Sequence, residues 1–196
     1  MKLFRFFKSQ KGFTLIELLV VIGVLGILAT GLLATIDPLE QFRKGADSNS
    51  RTTALELTNA LTRYYAVHGT MPWDSAANGG AACNGGTAPT AAAVHVTTNT
   101  AATSFNDCMQ QLVTEGELKA SFPTQYSILS RLWAVDTSSV GVGKSVSICY
   151  QPTSKSESHK AETKFAGGAN NTGPTVPLAQ TCDPTVNNNT CYWCTQ

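Results

Sequence analysis

The stretch from Phe13 to Ile36, FTLIELLVVIGVLGILATGLLATI, most constrains what this chain can fold into. About 20 helical residues rising roughly 1.5 Å each cross a hydrocarbon core of about 30 Å, and this run is long enough. One residue does not belong in it. Glu17 lies a single turn inside, where an ionised carboxylate costs about 2.5–3.5 kcal/mol on insertion-based scales. A carboxylate so placed marks a functional site whose partner has to be found. The preceding segment, MKLFRFFKSQKG, carries Lys2, Arg5, Lys8 and Lys11 with no acid beside them. These cations favour a cytoplasmic N-terminus and send the chain beyond Ile36 outside.

The residues around Glu17, KGFTLIELLVVIGVLGILA, resemble the N-terminal signature of type IV pilins and type II secretion pseudopilins, the class III signal family. The pattern is a basic leader ending in Gly, then Phe, then Thr-Leu-Ile-Glu and an apolar run. The resemblance implies cleavage by a prepilin peptidase between Gly12 and Phe13 and methylation of the new Phe13 N-terminus. Glu17 would then face the Phe13 amine of a neighbouring subunit. The implied partners are copies of the same chain in a helical filament, an inner-membrane assembly platform, and membrane lipid before assembly. A weaker likeness extends to ALTRYYAVHGTMP, Ala60 to Pro72, which is similar to the helix end of major pseudopilins. An ordinary secretory signal cut near Ala29 to Gly31 is the rival reading, and Glu17 argues against it because such regions are usually uncharged.

At 196 residues the chain has room for one anchored domain with a modest core. The net charge is +1, but with the leader's cations set aside the rest is slightly acidic and shows no basic stripe for nucleic acid. All six cysteines, Cys83, Cys108, Cys149, Cys182, Cys191 and Cys194, fall in the exported part, where an even count reads as disulfides. Cys83 with Cys108 would fasten a loop poor in apolar anchors onto a short helix. For the remaining four, Cys149–Cys194 with Cys182–Cys191 and Cys149–Cys191 with Cys182–Cys194 both suit the strand pattern. Either pairing seats the last strand beside Val146 to Tyr150.

Helical character resumes after Asp37-Pro38, so a kink at Pro38 is expected rather than an end. Leu39, Phe42, Ala46, Thr53, Leu57, Leu61 and Tyr64 recur at helical spacing, with Arg43, Lys44, Asp47, Arg51, Glu56 and Arg63 mostly off that line. The stripe weakens over Gly45 to Asn49, which predicts a less regular span. Gly69 and Pro72 then stop the helix. Asp74 to Thr103 reads as a long loop. Ser104 to Leu118 reads as a second, short helix with Ser104 and Asp107 as a capping box. Tyr126-Ser-Ile-Leu, Leu132-Trp-Ala-Val, Val146-Ser-Ile-Cys-Tyr and Cys191 to Thr195 read as strands. Thr153 to Thr181 reads as mostly loop with a weak strand at Ala161 to Phe165.

Other motifs have blander readings. Gly23, Gly26 and Gly31 either admit close helix packing or weaken the helix, and the sequence does not choose. Cys191-Tyr-Trp-Cys194 matches a redox C-x-x-C only superficially, since no strand–helix context surrounds it. A zinc site from Cys182, Cys191, Cys194 and His159 is chemically conceivable but foreign to an oxidising compartment. His68, His95 and His159 assemble no nucleophile–base set. The pseudopilins that the chain resembles often bind calcium in their C-terminal loops. Here only Asp183 and Glu162 offer hard oxygen ligands there, too few for a site, and the chain departs from that pattern.

The expectation is therefore an α+β, pilin-like chain: leader 1–12, membrane and polymerisation helix 13–36, amphipathic continuation 37–67, and a disulfide-rich head, 68–196, with three or four antiparallel strands. It is a filament subunit without enzymatic activity or cofactor, stored in the inner membrane with its head outside. A major type IV pilin for attachment, motility or DNA uptake comes first and a type II secretion pseudopilin second. A single-pass or secreted binding domain without a filament is the reading from another class.

Overall fold

The computed structural model describes residues 12–35, 37–74, 93–96, 105–137, 145–160, 162–167, 173–175, 178, 180–183 and 190–195. Helix α1 runs over Leu15–Thr35 and helix α2 over Pro38–His68. Pro38 is the first residue of α2, where its missing N–H has no helical acceptor to lose. Asp37 precedes it, and its Oδ1 accepts a hydrogen bond from the Leu39 backbone at 3.1 Å. The described chain divides into two compact units between Leu39 and Glu40.

Within the second unit, α2 is helical without interruption through Gly45 to Asn49, against the expected irregularity there. Its buried line is Asp47, Ser50, Thr53, Ala54, Leu57, Ala60, Leu61 and Tyr64. Leu39 and Phe42, which the apolar spacing assigns to the packing stripe, are exposed instead. The stripe starts a turn later than apolar spacing suggests, because the first inward positions are filled by a carboxylate and a hydroxyl.

The described residues also form five strands: β1 Val94–His95, β2 Leu132–Asp136, β3 Val146–Tyr150, β4 Phe165–Ala166 and β5 Cys191–Cys194. They make one antiparallel sheet in the order β1-β2-β3-β5-β4. Alternation along the strands gives the sheet two covered faces. Leu132, Ala134, Ile148, Tyr150 and Trp193 join the cluster that holds α2. Trp133, Val135, Cys149, Tyr192 and Cys194 face the other way, against Phe165 and Leu178. Helix α3, Asn106–Thr114, adds Cys108, Met109 and Leu112 to the α2 cluster.

Further sequence expectations are corrected. Tyr126–Leu129 is a helical turn, α4, not a strand. Both sides of β2 are already taken by β1 and β3, so this segment closes locally, with Ile128 and Leu129 donating to the Gln125 carbonyl. The expected loop from Asp74 to Thr103 contains β1, whose Val-His-Val run adds the sheet edge beside β2 and makes five strands rather than three or four. The polar stretch after Thr153 contains a short helix, α5, Lys155–Ser158, whose N-cap Ser154 accepts from Glu157 N. The weak strand expected at Ala161 to Phe165 is instead Phe165–Ala166 and shares only Phe165 with that expectation. Ser104 lies outside the described residues, and α3 follows Phe105 without a side-chain cap.

One buried acid fastens α2 to the sheet. The Asp47 carboxylate accepts from Thr153 N and Ser154 N at 3.0 and 2.8 Å, from the Thr153 hydroxyl at 3.0 Å and from Arg131 Nη2 at 2.7 Å. Burial pushes its pKa up, but the Ser154 and Thr153 N–H groups and Arg131 outweigh that and hold it below the usual 3.8. A carboxyl group lowered in this way stabilises the fold above pH 3.8 and loses that contribution as pH falls through the folded value. Further along α2, the Thr58 and Thr195 hydroxyls share a hydrogen bond at 2.9 Å, and Arg51 lies 4.7 Å over the Trp193 ring.

Asp47→Ala should destabilise the head by about 3 kcal/mol, the cost of leaving the half-buried Arg131 and two backbone donors without their acceptor. It should also flatten the acid limb of the stability profile. Urea unfolding of the full chain between pH 2 and pH 7 checks both, and a loss below about 0.5 kcal/mol would place Asp47 among incidental surface groups. Strand β5 sits between β3 and β4 with all four residues buried. Deleting residues from Cys191 onward should leave the head protease-sensitive while α1 stays in the membrane. Limited proteolysis that finds the truncated head as resistant as the parent would contradict this.

Candidate functional site

The N-terminal site is built on the first turn of α1. Thr14 precedes the helix, and Glu17 occupies its third position. Glu17 N donates to Thr14 Oγ1 at 3.3 Å, and Thr14 N donates to Glu17 Oε2 at 2.8 Å. These reciprocal bonds are a capping box, and the Thr14 hydroxyl also donates to the same carboxylate oxygen at 2.8 Å. Two of the four backbone donors that a helix start leaves open are satisfied inside the chain. That matters most in lipid, where water is not at hand to replace them. The carboxylate also meets the positive end of the helix dipole. Phe13 lies immediately before this turn and is exposed, as is Gly12.

Beyond the box, α1 offers nothing but apolar surface. Leu15–Leu33 has a mean hydropathy of 2.5 with none of it buried, long and apolar enough to cross a membrane. The Thr30 hydroxyl donates to the Ile27 carbonyl at 2.8 Å and so hides its polarity within the helix. Such a helix, apolar all round, needs lipid or other helices around it.

Cysteines supply the second set of candidate residues. The structure contains Cys149–Cys194 and Cys182–Cys191, one of the two pairings open at the sequence level. The first joins directly opposed residues of β3 and β5. The second closes the segment that leads into β5. Cys191 and Cys194 are thus bonded to other partners and not to each other, which removes the C-x-x-C reading. The same bonds occupy all three thiols of the conceivable zinc set. Cys108 is buried on α3, and its expected partner Cys83 lies outside the described residues.

The histidines stand apart. His68 stacks on Tyr64 at the end of α2, His95 sits on β1 against Trp133, and His159 follows α5 with Nδ1 at 2.7 Å from the Lys155 carbonyl. Glu162 is engaged by Arg51 at 2.9 Å. Among the described residues no group of three or more His, Cys, Asp or Glu could hold a metal ion. Thr14 is legible as T-x-x-E but is absorbed into the longer leader pattern. Asp47 carries no signal, since an acid among basic and polar neighbours reads as a solvated face.

A basic N-terminal segment, a cap that seals its own carboxylate and a bare apolar helix together fit single-pass anchoring in a membrane. A family model described as the prokaryotic N-terminal methylation motif matches residues 7–33, so the chain carries the class III signal of type IV pilins and pseudopilins. No curated protein and no solved structure matches the chain. The motif points to a structural, pilin-like or pseudopilin subunit rather than an enzyme, and implies processing by prepilin peptidase and filament assembly. With the apolar helix, it fits single-pass anchoring in the inner membrane with the head outside.

Thr14→Ala should remove the hydroxyl half of the box and cost the start of α1 about 1 kcal/mol. Amide exchange in detergent micelles should show faster exchange of the Glu17 N–H than in the parent, with the head unchanged. Equal exchange rates would mean that the box does not hold in the full chain.

Proposed function

We propose that this protein is the structural subunit of an extracytoplasmic filament of the major type IV pilin kind. The observation that carries the reading is a helix without a polar face headed by one carboxylate. Packed against copies of itself, α1 exchanges lipid for protein contact, and small Gly23, Gly26 and Gly31 allow close approach. After cleavage between Gly12 and Phe13, the methylated Phe13 ammonium of a neighbour supplies a countercharge for Glu17. A carboxylate buried between helices becomes tolerable when so paired. The head stays outside, stapled by its disulfides, with Cys83 and Cys108 as a third pair. Mechanism is assembly, with register set by one charge pair.

A type II secretion pseudopilin is the second reading, favoured by the segment that closes α2. There Gly69 takes φ +70° after His68, and Met71 and Pro72 are buried.

Glu17→Ala should leave membrane insertion intact, because it removes a cost, and should abolish or shorten filaments. Shearing followed by immunoblot measures filament yield, and mass spectrometry of the mature N-terminus reads its chemistry. Methyl-Phe13 with lost filaments supports assembly. A cut near Gly31 sinks it in favour of a binding domain without a filament, and normal filament yield from the variant removes Glu17 from the assembly mechanism. Loss of a secreted enzyme in a deletion strain that still makes surface filaments would select the pseudopilin.

A further inference from the structure

The head holds a cavity of about 200 Å³ where β2 begins and the chain leaves β3. Part of its lining is aromatic, from His95, Trp133 and Tyr192, and part is polar, from Ser130, Arg131 and Gln151. The aromatic part is rigid. His95 and Trp133 are directly paired across β1 and β2 with ring centroids 3.5 Å apart. The Gly173 backbone, with φ +87°, lies so close that an added Cβ would stand 2.5 Å from the Trp133 ring. A lining that cannot rearrange loses little entropy on binding.

The polar part has unspent capacity. Arg131 gives Nη2 to Asp47 and, at 3.4 Å, to Thr153. Among the described residues its other guanidinium N–H groups have no acceptor, and the Ser130 hydroxyl and Gln151 carboxamide are exposed without one. The lining carries little net charge. Asp47 pairs with Arg131 at 2.7 Å, and burial pushes the His95 imidazole below its usual range. The space is smaller than the roughly 300 Å³ at which sites for drug-sized ligands begin. It suits a compact, uncharged ligand with an apolar face and a rim of hydroxyls.

We propose that this cavity binds one neutral hexopyranose ring, its C–H face on the aromatic side chains and its hydroxyls on Gln151, Ser130 and Arg131. The site lies wholly within the head and does not depend on filament assembly.

The test is a nitrogen-15 NMR titration of the full chain in a zwitterionic detergent without sugar head groups. The probes are methyl glucoside, methyl galactoside and a disaccharide ending in each. At least one hexose should give saturable shifts at the Trp133 indole N–H and the Gln151 side chain, with a Kd on the order of 1 mM. A disaccharide binding as well as its methyl glycoside identifies the terminal unit of a glycan as the source. Binding of the methyl glycoside alone identifies a free sugar. Gln151→Ala should weaken binding about five-fold, the loss of one hydrogen bond, with other resonances in place. Ser130→Ala serves the same purpose if that variant misfolds. The proposal is overturned by no saturable shift up to about 100 mM, far above the expected Kd. Tighter binding of N-acetylneuraminic acid, or equal binding of phenol, overturns it as well, since either would mean an anionic or merely aromatic site.

Discussion

The head depends on a carboxylate that no solvent reaches. Asp47 gathers Thr153, Ser154 and Arg131, and so joins α2 to the start of β2 and to the chain leaving β3. Apolar packing along Leu57, Leu61 and Tyr64 is non-directional and would tolerate the helix sliding by a turn. The Asp47 bonds would not, because a shifted helix would bury an unpaired acid together with two unpaired N–H groups. Specificity of placement thus comes from polar groups and the bulk of the stability from apolar area. Tyr150, buried nearby, has its pKa pushed up to about 12 by burial and by the charges of Asp47 and Glu157.

The two units handle burial in opposite ways. The head covers both faces of its sheet with its own residues, α2 and α3 on one side and Phe165 and Leu178 on the other. Helix α1 is exposed over Leu15–Leu33. At its start the Thr14–Glu17 box closes the helix onto itself. A carboxylate held by its own turn is less exposed to lipid while stored, yet its second oxygen is free of these bonds. That division suits a subunit whose head is finished before its helix finds a final surrounding.

Much of this is readable from residues alone where physical signals are strong. A run such as Phe13 to Ile36 stands out by its length and apolarity, and β2, β3 and β5 are visible as β-branched and aromatic runs. The α+β class follows from these. Failures come where context decides. Tyr126-Ser-Ile-Leu has strand residues, but both sides of the neighbouring β2 are taken, so local hydrogen bonds win. Val94–His95 is too short to stand out among Ala and Thr, and becomes a strand only because Ala134 and Trp133 lie opposite. Asp47 reads as a solvent-side acid because charge normally goes there, and only the fold brings Arg131 to it from 84 residues away. At the N-terminal site Glu17 stands out through its cost, whereas the Thr14 contribution is hidden inside a longer motif.

The position of β5 carries a consequence for biogenesis. It is the last of the described strands to be synthesised, yet it occupies an interior place in the sheet, and β4 pairs with it alone among the strands. Until Cys191 to Cys194 arrive, β3 has an open edge and β4 has no strand to pair with. The described strands therefore cannot complete this sheet until β5 is in place. Once β5 docks, Cys149 and Cys194 come opposite each other, and the bond between them fixes β5 in its interior place.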